Sequence, residues 1–287
     1  MFSIRERVSS AAGRMLLCAA VFWSVAPLGW FVIQSFKSRA DALAVPPRVL
    51  FQPTLRNYIQ LFGGTVPDDY TSSVTVGFPQ ALGLSFLIAL LAATLAVVVG
   101  SPAGYLIARM RRRRWDLLGL ILGTRMLPVV VVVMPILAMA IAASLTDSVL
   151  GLALVHGALG LPLVIVVVAV QPISVLERLR EQASLDGVSV ARQFAVLVVP
   201  ALFPAVLAGA MLAFLSSWNE FFFALVLGGE QIRTAPVVLA GFQTLRGVQW
   251  GLVAAASTAM IVPVVLVVFL LTRPMVWRSM TRTWVPR

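Results

Sequence analysis

Within an otherwise apolar stretch, Trp218-Asn219-Glu220-Phe221 sets a carboxylate and an amide between two flat aromatic faces. Hydroxyl-rich ligands need planar hydrogen-bonding groups together with aromatic surface for their C–H faces, so this tetrapeptide suits recognition of a sugar or polyol. The same residues suit a polar clamp between helices, or a pairing of Glu220 with Arg125, the other ionisable side chain set deep in an apolar run. Arg125 lies nine residues beyond Asp116, roughly 14 Å along a helix. That depth is compatible with a pathway or ion-pair role and with snorkelling toward the surface.

A second constellation is charged and amphipathic. It runs from Glu177 through Arg178, Arg180, Glu181, Ala183, Ser184, Asp186 and Gly187 to Phe194 and Pro200. Leu176, Leu179 and Ala183 recur at helical spacing opposite the charges, Gly187 suits a left-handed C-cap, and Ser189 can N-cap a second helix toward Phe194. The spacing predicts two short helices with a break at Gly187, a bent knob with polar groups outward.

The elements that position these residues must sit in lipid. In a chain of 287 residues, 60% are hydrophobic and only 11% charged, and the mean hydropathy is +0.97; a soluble surface cannot be built from that composition. Runs long enough to cross a bilayer as helix lie at 14–36, 80–108, 117–143, 149–171, 198–227 and 251–272. The expectation is an all-α polytopic protein of six spans, the third and fourth paired as a hairpin through Ser144, Thr146 and Asp147. The first run is read as an uncleaved span: it extends from Met15 to Ile33, contains Pro27 and lacks an Ala-x-Ala site.

Six spans put 1–13, the Arg109–Arg114 link, 172–197 and 273–287 on one side, and 37–79 on the other. Fifteen Lys and Arg fall on the first side, including Arg5, Arg7, Arg111, Arg112 and Arg287, against six on the second: Lys37, Arg39, Arg48, Arg56, Arg233 and Arg246. The positive-inside bias makes the first side cytoplasmic. The outer segment carries Pro46, Pro47, Pro53, Gly63, Gly64 and Pro67, which favour turns over another span. The net charge of +11 therefore reads as topology and not as a nucleic-acid face. A single cysteine, Cys18, excludes an internal disulfide framework, and a single histidine, His156, gives no zinc cluster. Near Gly151, Gly157 and Gly160, His156 reads as a packing residue. Trp250, Trp277 and Trp284 read as interfacial aromatics.

The knob resembles the EAA loop of bacterial binding-protein-dependent ABC importer permeases: Glu-Ala-Ala, three residues, Gly, nine residues, then Ile-x-Leu-Pro. Glu181, Ala183, Gly187, Leu197, Val199 and Pro200 fill that spacing, with Gln182 in place of the first Ala. The resemblance extends over roughly residues 80–280, through Pro102-Ala-Gly-Tyr105-Leu-Ile-Ala108-Arg109, Arg125-Met-Leu-Pro128 and Ala213-Phe-Leu-Ser-Ser-Trp218. Trp218-Asn219-Glu220-Phe221, Ala235-Pro236-Val237 and Gln249-Trp250-Gly251 look most like the carbohydrate-uptake branch, sugar and polyol carriers included, and its maltose-type second permease. The C-terminus departs, with Trp277-Arg-Ser-Met-Thr281 where relatives carry a Gly-rich tail.

The resemblance implies a type I ABC importer permease fold with both termini cytoplasmic, in the bacterial inner membrane. It implies a coupling role toward an ATPase subunit for Glu181, Ala183, Ser184, Asp186, Gly187, Phe194 and Pro200, and a substrate-pathway role for Arg125, Trp218, Asn219, Glu220 and Phe221. The implied partners are a second permease subunit, two ATPase subunits that hold ATP and Mg, and an extracytoplasmic substrate-binding protein. No Gly-x-x-x-x-Gly-Lys-[Ser/Thr] loop is present, so this chain is expected to bind no cofactor and to leave ATP hydrolysis to another chain. A membrane-embedded enzyme would need paired carboxylates, a Ser/His pair or a metal cluster at matching depth, and the spans offer one Glu and one His. The EAA pattern marks energy coupling and not substrate, so an importer of a polyamine or phosphonate is the alternative to a sugar or polyol importer.

Overall fold

In hydrocarbon each backbone N–H and C=O must find its partner within its own segment, so the long apolar runs can only be helices. The computed structural model describes residues 11–63, 77–110, 113–244 and 247–282, with side chains given for most of them. Arg5, Arg7, Arg111, Arg112, Arg246, Trp284 and Arg287 lie outside the described residues, as does the Gly64–Pro67 part of the outer segment, and the side chain of Trp277 is not described.

The described elements run α1 (Ala11–Ser35), α2 (Arg39–Ala42), α3 (Arg56–Leu61), α4 (Phe78–Arg109), α5 (Arg114–Gly123), α6 (Val129–Ala142) and α7 (Val149–Ala169). They continue as α8 (Ser174–Leu185), α9 (Val190–Gln193), α10 (Val199–Trp218), α11 (Phe222–Leu227), α12 (Ala235–Ala240), the strands β1 (Gln243–Thr244) and β2 (Gly247–Val248), and α13 (Trp250–Arg282). Five helices among the described residues are long and apolar enough to cross a membrane; α5 and α6 qualify as a sixth span only when taken together, because they bend by 86°.

That bend corrects the continuous span expected at 117–143. A 3-10 turn, Thr124–Met126, ends α5, and Leu127 and Pro128 are extended, with ψ of 130° and 129°. A proline disfavours helical geometry in the residue before it and has no N–H to donate, so Leu127-Pro128 breaks the helix where hydropathy alone reads straight through. The span expected at 198–227 is likewise interrupted: α10 ends at Trp218, and Asn219, Glu220 and Phe221 separate it from α11. The turn between α6 and α7 is present, with Ser144 and Asp147 at positive φ. Yet α6 packs chiefly on α11 and not along α7.

The chain forms two compact units. One comprises residues up to Pro79 with Val238–Val262, the other Gln80–Val237 with residues from Pro263 onward. In the first unit the Asn57 amide ties the end of α1 by donating to the carbonyls of Ser35 (2.8 Å) and Lys37 (2.9 Å). Lys37 is 2% exposed, its ammonium 4.9 Å from the Trp30 ring and 5.3 Å from that of Phe51. Its place at the start of the outer segment suggests a solvated loop charge, but aromatic faces shelter the cation.

The core of the second unit is α7, packed along α10. Small residues permit this: a Cβ on Gly160 would stand 3.0 Å from that of Ala213, and one on Gly104 only 2.7 Å from the Ile165 carbonyl of α7. Without a hydrophobic drive between helices in lipid, such close backbone approach is what holds them together. Ile88, Val133, Leu152, Phe223 and Leu227 gather α4, α6, α7 and α11 into one buried cluster. Pro102, Pro135, Pro162 and Pro204 all lie inside helices of this unit, as spans tolerate.

Candidate functional site

The knob is built as its sequence suggests. α8 ends at Leu185 with Asp186 as its C-cap, Gly187 takes φ +74°, and α9 begins after Ser189. Ser189 has the extended backbone of an N-cap, but its side chain makes no capping bond. Gln193 instead joins the two limbs: it is 1% exposed, and its amide donates to Ser184 Oγ (3.0 Å) and to the Val188 carbonyl (2.7 Å). A π-helical turn, Phe194–Val198, then leads into α10. Of the residues assigned to coupling, Glu181, Ser184, Asp186, Gly187 and Pro200 are exposed, and Ala183 and Phe194 half-buried. Among the described residues neither Glu181 nor Asp186 forms an ion pair. A Cβ on Gly187 would meet nothing within 4 Å.

Sequence reasoning gave Glu177 no role, yet it is the best-connected carboxylate of the knob. It accepts from the Tyr105 hydroxyl at 2.5 Å, pairs with Arg109 Nε at 3.2 Å and stands 3.4 Å from Arg180. Partial burial pushes its carboxyl up, but the Tyr105 hydrogen bond and the charges of Arg109 and Arg180 outweigh that and hold it below the ordinary glutamate range. The available signal was Tyr105 and Arg109 four residues apart on one helix face, which becomes informative only once α4 and α8 are known to meet.

The second region is a cavity of about 860 Å³ between the α5–α6 bend, α7 and the break after α10. Arg125, Asn219, Glu220 and Phe221 are all on its wall. Trp218, assigned to the same pathway, does not line it. It is 2% exposed, its ring stacked on Phe214 at 5.8 Å and edge-on to Phe86 at 6.4 Å. The helix still runs at residue 218, so its last side chain turns into the core, whereas those after the break face the cavity.

The break explains the polar pair. The Asn219 amide donates back to the Leu215 carbonyl at 2.9 Å, closing α10. Glu220 opens α11 by accepting from the N–H groups of Phe222 (3.0 Å), Phe223 (3.0 Å) and Ala224 (3.1 Å). These are the donors a helix start leaves unsatisfied. The partner of Glu220 is His156 Nε2 at 3.4 Å, not Arg125, and His156 Nδ1 meets Ser217 Oγ at 2.8 Å. His156 is thus a packing residue with a polar duty across the α7–α10 contact. Arg125 donates instead to the Leu159 carbonyl and, at 3.5 Å, to Ser216 Oγ. Both acceptors are neutral, so its charge stays uncompensated among the described residues. Among those residues no group of three or more His, Cys, Asp or Glu could hold a metal ion.

Comparison with known proteins bears on the family and the fold. The chain is 30% identical to the sulfoquinovosyl glycerol transport system permease protein of Agrobacterium fabrum, over 90% of this chain and 86% of the relative. It is 28% identical to the trehalose/maltose transport system permease protein of Thermococcus litoralis, over 93% and 92%. The fold is similar to that of a chain in the crystal structure of a bacterial ABC transporter that imports the acidic polysaccharide alginate, with a TM-score of 0.65 and 17% identity over 97% of this chain and 98% of that one. With residues 97–275 matching the family described as binding-protein-dependent transport system inner membrane component, the chain belongs to that family of ABC importer permeases.

Proposed function

We propose that this chain forms half of the translocation pathway of an ATP-driven importer for a sugar or polyol in the bacterial inner membrane, with both termini and the knob in the cytoplasm. The observation that carries the coupling part is the knob itself: a preformed bend whose outward carboxylates, Glu181 and Asp186, have no ion-pair partner among the described residues. Groups so placed suit a partner of opposite charge, and the exposed turn at Gly187 lets a second backbone approach closely. The partner is one of two ATPase subunits that hold ATP and Mg; this chain binds no cofactor. Closure of the ATPase pair moves the knobs of this chain and of a second permease together, opening the pathway toward an extracytoplasmic binding protein.

The substrate class rests on relatives whose names are those of sugar and sugar-glycerol transport systems. The cavity lining is largely apolar, with the amide of Asn219 and the ring of Phe221 on its wall, as binding of hydroxyl-rich ligands requires. One observation favours a second reading, an acidic sugar. The Glu220 carboxylate is occupied by three backbone amides, with His156 Nε2 3.4 Å away, whereas the Arg125 guanidinium faces the cavity with only neutral acceptors. The test is ATP hydrolysis by the reconstituted complex, with its binding protein loaded in turn with neutral sugars, polyols, sugar acids and polyamines. Stimulation by a neutral sugar or polyol supports the first reading and by a sugar acid the second. Stimulation by a polyamine alone removes both.

A further inference from the structure

Tyr105 touches more of the knob than any residue of the knob's own resemblance would suggest. It is 3% exposed and sits in the last turns of α4, 72 residues before Glu177 in the chain. Its hydroxyl donates to Glu177 Oε1 and accepts from Arg180 Nη1 at 2.9 Å, so it is bonded to two successive turns of α8. Its ring lies 6.0 Å from that of Phe194, tilted by 59°, in the π-helical turn that ends the knob's other limb. Arg109, one turn along α4, closes the cluster from the far side through Glu177 Oε2. The guanidinium groups of Arg109 and Arg180 stand 6.0 and 5.7 Å from the same ring. One aromatic side chain thus contacts both limbs, and Gln193 ties those limbs to each other.

At its other end α4 leads to the cavity. Phe86 packs edge-on against Trp218 and Phe214, immediately before the break that carries Asn219 and Glu220. Ile88 belongs to the same buried cluster as Phe223 and Leu227 of α11 and Val133 of α6, behind the cavity wall. Nineteen residues separate Phe86 from Tyr105, roughly 28 Å at the helical rise. α4 is a single helix over that distance, Pro102 notwithstanding.

We propose that Tyr105, Glu177, Arg109 and Arg180 form a latch that fixes the knob to α4, so that α4 acts as a strut carrying knob displacement to the cavity wall. Tyr105 and Glu177 are positioning residues; neither touches substrate. A strut transmits only through contacts that survive load, and charge-assisted hydrogen bonds around a buried ring meet that need better than apolar sliding contacts. Partial burial of Arg180, at 12% side-chain exposure, and Glu177, at 25%, shields that pair from water and salt, while Arg109, at 44%, forms the exposed rim of the latch. The inference rests on the coupling role proposed for the knob.

The experiment compares Tyr105→Phe, Glu177→Gln and their double with Gly187→Trp in the reconstituted importer, scoring substrate transported per ATP hydrolysed. Tyr105→Phe keeps the ring on Phe194 and removes only the hydroxyl. The latch predicts a drop of roughly tenfold in that ratio for either single change, with the double no worse than the singles. ATPase subunit retained on purification is measured alongside. Wild-type ratios in the latch variants while Gly187→Trp uncouples would overturn the latch and leave the coupling reading standing. Reduced ATPase retention with an unchanged ratio would make the cluster structural only, and also overturns it. Wild-type ratios in all four variants would remove the coupling role itself, and the latch with it.

Discussion

The knob and the cavity wall both carry a pair of nearby acidic or amide side chains on a helix break, yet they use them in opposite ways. At Gly187 the break is made by a glycine at φ +74° and braced by Gln193, and Glu181 and Asp186 are left facing outward. At Asn219–Glu220 the side chains make the break themselves, one returning to the Leu215 carbonyl and the other collecting three amides of α11. A break that glycine can hold leaves the polar side chains beside it uncommitted. A break inside an apolar bundle must satisfy its own backbone first, because an orphaned amide there costs several kcal/mol.

Six substitutions at five positions sharpen or break this contrast. The largest expected effect is Trp218→Ala, since removing a buried aromatic leaves a cavity among Phe86 and Phe214: a loss of about 3–5 kcal/mol, read as thermal unfolding in detergent. Phe221→Ala, on the cavity wall and half-buried, should alter substrate dependence of transport with little change in unfolding; the reverse pattern would put Trp218 in the pathway after all.

Glu220→Ala comes next, at about 3 kcal/mol, because three amide donors lose their acceptor together. An unfolding temperature equal to wild type would show that the carboxylate is not committed to the backbone. Gly187→Asn and Gly187→Trp separate conformation from space. Asparagine tolerates positive φ and should keep most coupling, whereas tryptophan should cut transport per ATP by about tenfold or more through strain and lost approach. Equal transport by both would mean that nothing docks there.

The smallest effect lies at the turn before α7. Asp147 accepts from the amides of Ile232 (2.8 Å) and Gln231 (3.3 Å), the first of which chiefly holds its carboxyl below the usual range. A group with a depressed folded pKa contributes stability at neutral pH and loses it as pH falls through that pKa. The protection of amides 231 and 232 from hydrogen exchange, taken relative to the intrinsic rate at each pH, should therefore fall on acidification below the ordinary aspartate range. Asp147→Asn should abolish that dependence.

Much of this architecture is legible from local sequence. The knob's bend follows from Gly187 and the amphipathic spacing around it, and long apolar runs can only be helices. What escaped was set by neighbours or by single dihedrals. Hydropathy averages over Leu127-Pro128 and over Asn219-Glu220, so two of the expected spans read as continuous although each contains a break. Whether Trp218 faces core or cavity depends on the helix ending one residue later, and the Tyr105–Glu177 contact joins positions 72 residues apart. Depth in apolar sequence suggests Arg125 as a partner for Glu220; the carboxylate is instead held by the amides of α11, with His156 Nε2 at 3.4 Å.

Photo-cross-linking from two positions in the assembled importer tests the central claim most directly, with the photoreactive residue placed at Glu181 on the knob or at Phe221 on the cavity wall. The account predicts a covalent adduct with the ATPase subunit from position 181 and none from position 221. No adduct from 181, or one from 221, would contradict it.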